Sequence, residues 1–225
     1  MNLSARNQRN LTVDGITINI HTMADAVASI VAAAQHNESF HVCTLNLDHV
    51  RHLNANGDFR ESYRRARFVT ADGFPIVVLG RLARAPIQRT TGADLIEPVC
   101  EAAARNDLPI FLLGSDPPTL AECEKRLCAR YEGLKVAGSF SPGRGFEANS
   151  AEADESIERV RASGAKLCFL ARSARRSRRC SPPAASTACP ASASCALGLR
   201  SISSPASRNA HPALRNATAS SGSGG

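Results

Sequence analysis

RFVTADGFPIVVLGRLA, residues 67–83, contains the junction from which the architecture follows. Phe68-Val69-Thr70-Ala71 is short, apolar and partly β-branched, the composition of a buried strand. Asp72-Gly73 follows as a turn signal, because glycine supplies the positive φ that a sharp exit from a strand needs. Pro75 then stands near the first turn of a helix, where its missing N–H is no loss and its fixed φ is already helical. A strand that turns directly into a helix is half of a βα unit, so the neighbours decide whether the unit repeats.

It repeats in both directions. Upstream, LTVDGITINI (11–20) alternates apolar and polar residues around Asp14-Gly15 and predicts a hairpin. MADAVASIVAAAQ (23–35) places Val27, Ile30, Val31 and Ala34 on one helical face. FHVCTLN (40–46) reads as a strand, and LDHVRHLNANGDFRESYRRA (47–66) as one or two helices broken near Asn56-Gly57. Downstream, GADLIEPVCEAAARN (92–106) reads as a helix and LPIFLLG (108–114) as a buried strand. PPTLAECEKRLCARYEG (117–133) predicts a helix with proline at its start and Gly133 past its end. LKVAGSF (134–140) and AKLCFLA (165–171) read as strands on either side of a helix at SAEADESIERVRASG (150–164). Strands alternating with helices predict an α/β fold, a Rossmann-like layered domain with a largely parallel sheet. Ligands of such sheets bind beyond the carboxyl ends of the strands. The informative segments therefore follow Cys43, Thr70, Leu113 and Leu170.

Charge is unevenly distributed. The net charge is +7, but eight of the 27 Lys and Arg lie from Arg172 onward, leaving 19 against 20 Asp and Glu in residues 1–171. The basic character belongs to the end of the chain, so a phosphate-binding surface over the whole domain is not indicated. The eight cysteines form no CxxC pair and no zinc-like Cys/His cluster, and reduced, buried thiols are the expected state. MNLSARNQRN at the N-terminus lacks an apolar h-region, so no signal peptide is expected. No apolar run approaches the roughly 20 residues that cross a bilayer.

Four segments carry chemistry. Thr44 and Asn46 end the first strand of the βα series, where small polar groups can hydrogen-bond a sugar or diphosphate; Asn46 or Asp48 can equally cap the next helix. Asp72 ends the second strand, placed as a general base for a sugar hydroxyl or as a turn residue with a capping role. Arg89 precedes two threonines and a helix N-terminus, an arrangement suited to phosphate or to a plain surface loop. Gly114 closes a buried strand before a helix opened by Pro117-Pro118; the segment is neither a P-loop nor GxGxxG. The run at Arg64, Arg65 and Arg67 reads as a solvated helix face.

The order of TLN (44–46), TADGFPIVVLGRL (70–82), RTTGADL (89–95), PIFLLGS (109–115) and YEGLKVAGSFSPGRGF (131–146) resembles the WecG/TagA/CpsF family of bacterial glycosyltransferases. The resemblance spans Leu11 to Ala171. It implies inverting transfer of a hexose, of the N-acetylmannosamine type, from a UDP-sugar. The implied acceptor is a polyprenyl-diphosphate-linked saccharide at the cytoplasmic membrane face, in cell-surface polysaccharide synthesis. By the same likeness Asp72 is the catalytic base, Thr44 and Asn46 line the sugar pocket, and Arg89 with the Gly114–Ser115 loop lies near the diphosphate. Many relatives carry a second glycine where this chain has Ser115, followed by Asp116. No metal or other cofactor is implied, no nucleic acid is expected as a partner, and a homo-oligomer is compatible with the pattern. The implied location is cytoplasmic and peripheral to the inner membrane face.

Beyond Ala171 the periodicity stops, and residues 172–225 are rich in Arg, Ser, Ala and Pro. Such a segment buries too little apolar surface to offset its ordering entropy and is expected to be a disordered basic tail. In relatives the matching strand runs into a G-[AS]-P-K-Q-E segment. The genetic code permits that segment here in a shifted frame, each codon taking the last base of one residue and two of the next. Ala171 to Ser181 then permits A-L-G-A-P-K-Q-E-M-F, Arg200 to Ala206 permits L-D-F-I-A-G, and Arg208 to Ala213 permits a K-R-A-P-R type segment. Their agreement in order with later family segments predicts that the tail is an out-of-frame translation and that transfer activity is impaired. The alternative, a nucleic-acid-binding α/β protein with an Arg/Ser-rich tail, lacks interleaved aromatics, which are 4% of the chain and absent after Phe169.

Overall fold

The computed structural model describes residues 9–142 and 151–171. The expected basic tail at 172–225 lies outside the described residues, as does the end of the YEGLKVAGSFSPGRGF segment from Gly143 onward.

The chain opens on the predicted hairpin, β1 (Leu11–Val13) and β2 (Ile16–Ile18), antiparallel with Val13 opposite Ile16. Asp14 and Gly15 take φ of 51° and 77°, the left-handed pair that lets a two-residue turn follow the twist of its strands. Arg60, on α3 (Gly57–Arg64), fixes this turn by donating from Nη1 to the Asp14 carbonyl at 2.9 Å and from Nη2 to its carboxylate at 2.6 Å. The polypeptide from Leu47 to Arg64 is two helices. Asn56 stands between α2 (Leu47–Ala55) and α3, and its Oδ1 accepts from the Phe59 N–H at 3.0 Å to start the second.

Parallel pairing is present as expected, divided between two sheets. β3 (Val42–Leu45) pairs with β4 (Phe68–Ala71), Thr44 standing opposite Thr70 and Leu45 opposite Ala71. β5 (Ile110–Gly114) is the centre of a second sheet between β6 (Val136–Phe140) and β7 (Leu167–Ala171). Side-chain packing joins the two sheets. Val42 of β3 shares one core with Ile110 and Leu112 of β5 and with Leu167 and Phe169 of β7. α1 (Met23–Gln35) and α5 (Gly92–Arg105) pack on one another in the same core through residues such as Ile30, Ala34, Leu95 and Val99. α6 (Pro117–Arg130) and α7 (Ala151–Ala162) complete the layers beside the second sheet. A separate apolar cluster under β3 and β4 contains Leu45, Tyr63, Ala71, Ile76 and Val77, the last two from α4 (Phe74–Leu82).

Three helices end on the same backbone device without the glycine that usually marks it. After α1, α4 and α5 the residues Asn37, Arg84 and Asp107 take φ between 53° and 55°. In each case the next N–H reaches back over the last turn, as Ala85 does to the Gly80 carbonyl at 2.8 Å.

Candidate active site

β3 and β4 deliver their last residues to the same edge, because Leu45 and Ala71 are register partners and Asp72 N–H donates to the Leu45 carbonyl at 2.8 Å. Asn46 and Asp72 are therefore neighbours in space as the first residues beyond a parallel pair. The two differ in what their side chains do. Asn46 is the N-cap of α2: its Oδ1 accepts from the His49 N–H at 2.8 Å. That is the structural role left open for it, and Asp48 instead faces His52 across one turn at 3.4 Å. Asp72 caps nothing. Gly73, with φ of 95°, is the N-cap of α4 and brings no side-chain hydrogen bond. The Asp72 carboxylate is thus left at the carboxyl end of β4, half-buried, with Thr44 Oγ1–H donating to Oδ2 at a long 3.5 Å.

Thr44 is 1% exposed, so its hydroxyl is available to Asp72 and little else in this state. Its carbonyl is held from the other side. Tyr63 O–H donates to it at 2.7 Å, and His49 Nδ1 lies 2.8 Å from the same oxygen and 2.7 Å from the phenol. Either imidazole tautomer completes this set: with Nδ1–H the ring and the phenol both donate to the carbonyl, and with Nδ1 bare the phenol can donate to the ring. Burial pushes the Tyr63 phenol far above its ordinary range, with Cys43 and Asp72 adding to the effect, so it stays a neutral donor. Burial likewise pushes the neighbouring Cys43 thiol up to about 12, which makes it an inert packing group rather than a nucleophile.

A third segment joins the edge. Arg89 forms a parallel bridge to Ala71, and Thr90 N–H donates to the Ala71 carbonyl at 2.7 Å. Thr70 Oγ1–H donates in turn to the Thr90 carbonyl at 2.9 Å. These contacts set Arg89 beside the residue that precedes Asp72. The guanidinium is half in solvent and ion-paired with Asp94, in the first turn of α5, at 3.1 Å. Thr91 caps that helix by accepting from Asp94 N–H. Thr90 Oγ1 is buried and has no hydrogen-bond partner among the described residues. A buried hydroxyl left unmatched carries a desolvation cost of about 1–3 kcal/mol.

Gly114 and Ser115 lie apart from this group, at the carboxyl end of β5 in the second sheet. No hydrogen bond or ion pair joins them to Asp72 or Arg89 among the described residues. They take φ of 102° and 60°, and the Ser115 carbonyl accepts from Ser141 Oγ at 2.7 Å. Asp116 is committed to α6, accepting from the N–H and the hydroxyl of Thr119, and these bonds hold its carboxyl below the ordinary range. Gly114 is the register partner of Ala171, the last described residue of β7.

Of the residues singled out in the sequence, Thr44, Asn46, Asp72 and Arg89 come together at one edge, and Gly114 and Ser115 stand at another. Tyr63, His49, Thr90 and Asp94 were not foreseen. The contacts of Tyr63, His49 and Thr90 reach a strand from a helix or a loop, which no local spacing signals, whereas Asp94 pairs with nearby Arg89 and opens a helix capped by Thr91, a local pattern. The arginine run behaves as expected of a solvated face, with Arg65 paired to Glu61 and Arg67 to Glu38.

A carboxylate beyond a parallel strand, free of capping, with a hydroxyl donor beneath it and an arginine one residue away, can accept a proton beside an anionic leaving group. No helix among the described residues is long and apolar enough to cross a membrane. The model of a family described as the glycosyl transferase WecG/TagA/CpsF family matches residues 11–182, from the first strand of the hairpin to beyond β7. Three of the segments that carry the resemblance, TLN, TADGFPIVVLGRL and RTTGADL, build this edge, and the chain belongs to the WecG/TagA/CpsF family of glycosyl transferases.

Proposed function

We propose that this chain has the active site of an inverting transferase that moves a hexose from a UDP-sugar to a polyprenyl-diphosphate-linked saccharide. The observation that carries the reading is the Asp72 carboxylate, which stands at the strand end with no capping bond to make. In the proposed step Asp72 takes the proton of the acceptor hydroxyl as that oxygen attacks the anomeric carbon. The bond to the UDP oxygen breaks on the opposite face, and the departing diphosphate carries the charge away. General-base assistance of this kind contributes roughly 10²–10⁴-fold. Thr44 orients the carboxylate, and Asn46 offers its amide NH₂ to the sugar while Oδ1 holds the helix.

Arg89 meets the diphosphate. Its five donors allow a phosphate contact alongside the Asp94 pair. The Gly114–Ser115 loop contributes N–H groups to the nucleotide side. No cofactor beyond the donor sugar is part of the proposal. The work place is the cytoplasmic membrane face, reached from the side.

The tail bears on activity rather than on identity. We infer an out-of-frame translation after Ala171, which replaces the later family segments. The 225-residue chain is therefore expected to bind UDP weakly and to make little or no product. Reading the coding DNA one base back from Ala171 tests the frame: absence of the three later segments overturns it. UDP tests the site: it should raise the thermal midpoint of the full chain, ADP should not, and Arg89→Ala should abolish the difference. Equal effects of the two nucleotides, or none, contradict the nucleotide assignment.

A further inference from the structure

We propose that the outer face of α4, with Leu47 at the start of α2, seats this domain on an anionic membrane surface with Asp72 at the level of the lipid headgroups. The proposal takes its partner from the lipid-linked acceptor of the preceding reading, but its residues and its test are independent of turnover.

Among the described residues the exposed large hydrophobic side chains are Leu47, Phe74, Leu79 and Leu82. All belong to the two helices that begin at the site edge: Leu47 follows Asn46, and Phe74 follows Asp72-Gly73. On α4 the inward positions are Ile76, Val77 and Gly80, all buried, which a solvent-facing helix would balance with polar residues opposite. Here the opposite positions are Phe74, Pro75, Val78, Leu79 and Leu82, with Phe74 67% and Leu82 77% exposed. At about 1.5 Å per residue this helix is far too short to cross a bilayer, and an apolar face of this length lies in the interface plane.

Charge selects the occupant. From Gly73 to Thr91 the sequence has Arg81, Arg84 and Arg89 and no Asp or Glu. Arg81 and Arg84 are exposed, and neither has an acidic partner among the described residues. A second copy docked by a two-fold axis through this face would oppose arginines to arginines. A surface of anionic headgroups neutralises them while the apolar side chains enter the acyl boundary. The close fit of Gly80 under Ile87 and the Ala85 carbonyl holds the helix down, so the face is a rigid part of the fold.

The chain contains no tryptophan, so a single introduced one reports its own surroundings. Leu82→Trp in the full chain should blue-shift on vesicles of phosphatidylglycerol and phosphatidylcholine, and brominated lipid should quench it. Lys125→Trp, at an exposed position of α6, should do neither. High salt screens the arginine-rich tail and the rim arginines alike, so the Leu82→Trp signal should weaken but remain, because its apolar contacts are not screened. In the wild-type background, Leu79→Ser with Leu82→Ser should weaken vesicle partition roughly tenfold or more. Arg84→Gly, which suits φ of 55° and removes one rim charge, should lower it roughly fivefold.

Sedimentation with vesicles but no Leu82→Trp response overturns the proposal, because the tail then does the binding. A vesicle-independent shift that grows with protein concentration overturns it in favour of a second copy. Equal responses at positions 82 and 125 overturn it as general adsorption. UDP protection in the absence of insertion removes the membrane face alone; insertion without UDP protection leaves the face standing and removes the nucleotide assignment.

Discussion

Thr44 and Asp72 are joined across the end of β3 and β4 by a hydroxyl-to-carboxylate hydrogen bond of 3.5 Å. The bond is long, and Thr44 is held from behind by Tyr63 and His49 through its carbonyl, so the hydroxyl position is set by the backbone. Thr44→Val keeps the volume and removes the donor. Because the bond is long, it is worth about 0.5–1.5 kcal/mol despite its charged acceptor, and kcat should fall by roughly two- to tenfold in a frame-restored chain, with the donor KM little changed. A KM effect alone would place Thr44 in substrate binding instead.

The neighbours Asn46 and Asp72 should separate cleanly in stability measurements. Asn46→Ala removes the cap of α2 and should cost about 1 kcal/mol in urea unfolding. Asp72→Asn removes no cap and should move the urea midpoint by well under half as much. Comparable losses for the two variants would return Asp72 to a structural role.

Thr90 tests whether a buried hydroxyl without a partner burdens the fold. It has none among the described residues, so Thr90→Val should be neutral or stabilising by about 1 kcal/mol without ligand. Loss of stability without ligand would show that the hydroxyl already has a partner, such as ordered water.

Alkaline pH should weaken the fold. Burial pushes the Cys43 and Cys100 thiols from an ordinary 9.0 up to about 12, so between those values the folded chain holds protons that the unfolded chain has released. Stability is then full below about pH 9 and falls as pH rises toward about 12, by up to about 1.4 kcal/mol per pH unit for each group. Tyr63, raised by burial as well, adds to the loss above its ordinary 10.0. Urea midpoints across this window check the sign, and Cys100→Ala should make the fall shallower. Stability that rises from about pH 9 contradicts it.

Gly80 ties the exposed apolar face of α4 to the core. A side chain there would meet Ile87 Cδ1 at 2.7 Å and the Ala85 carbonyl at 2.8 Å. Gly80→Val should therefore cost about 1–3 kcal/mol and loosen α4, seen as faster amide exchange from Phe74 to Leu82. Unchanged exchange would show that α4 is held by other contacts.

Local chemistry made much of this legible. The Asp14-Gly15 hairpin, the break at Asn56 and the strand–turn–helix at 67–83 follow from residue types a few positions apart. The ends of α1, α4 and α5 were harder, because Asn37, Arg84 and Asp107 occupy the left-handed position where a glycine would have marked it. The split into two parallel sheets was not legible, since βα alternation sets strand direction but not which strands share a ladder. In the site, Asp-Gly reads equally as a turn and as a base, and only the structure shows Gly73 doing the capping alone. The approach of Arg89 to Ala71 rests on a pairing 18 residues apart that no spacing rule encodes.

The decisive measurement for Asp72 is the initial rate of hexose transfer from UDP-sugar to a polyprenyl-diphosphate-linked acceptor by a frame-restored chain and its Asp72→Asn variant. The restored chain should make product, Asp72→Asn should lose roughly 10²–10⁴-fold in kcat, and both should keep UDP protection. A variant that turns over at a rate near that of its parent would contradict the assignment, because the proton would then be taken by another group.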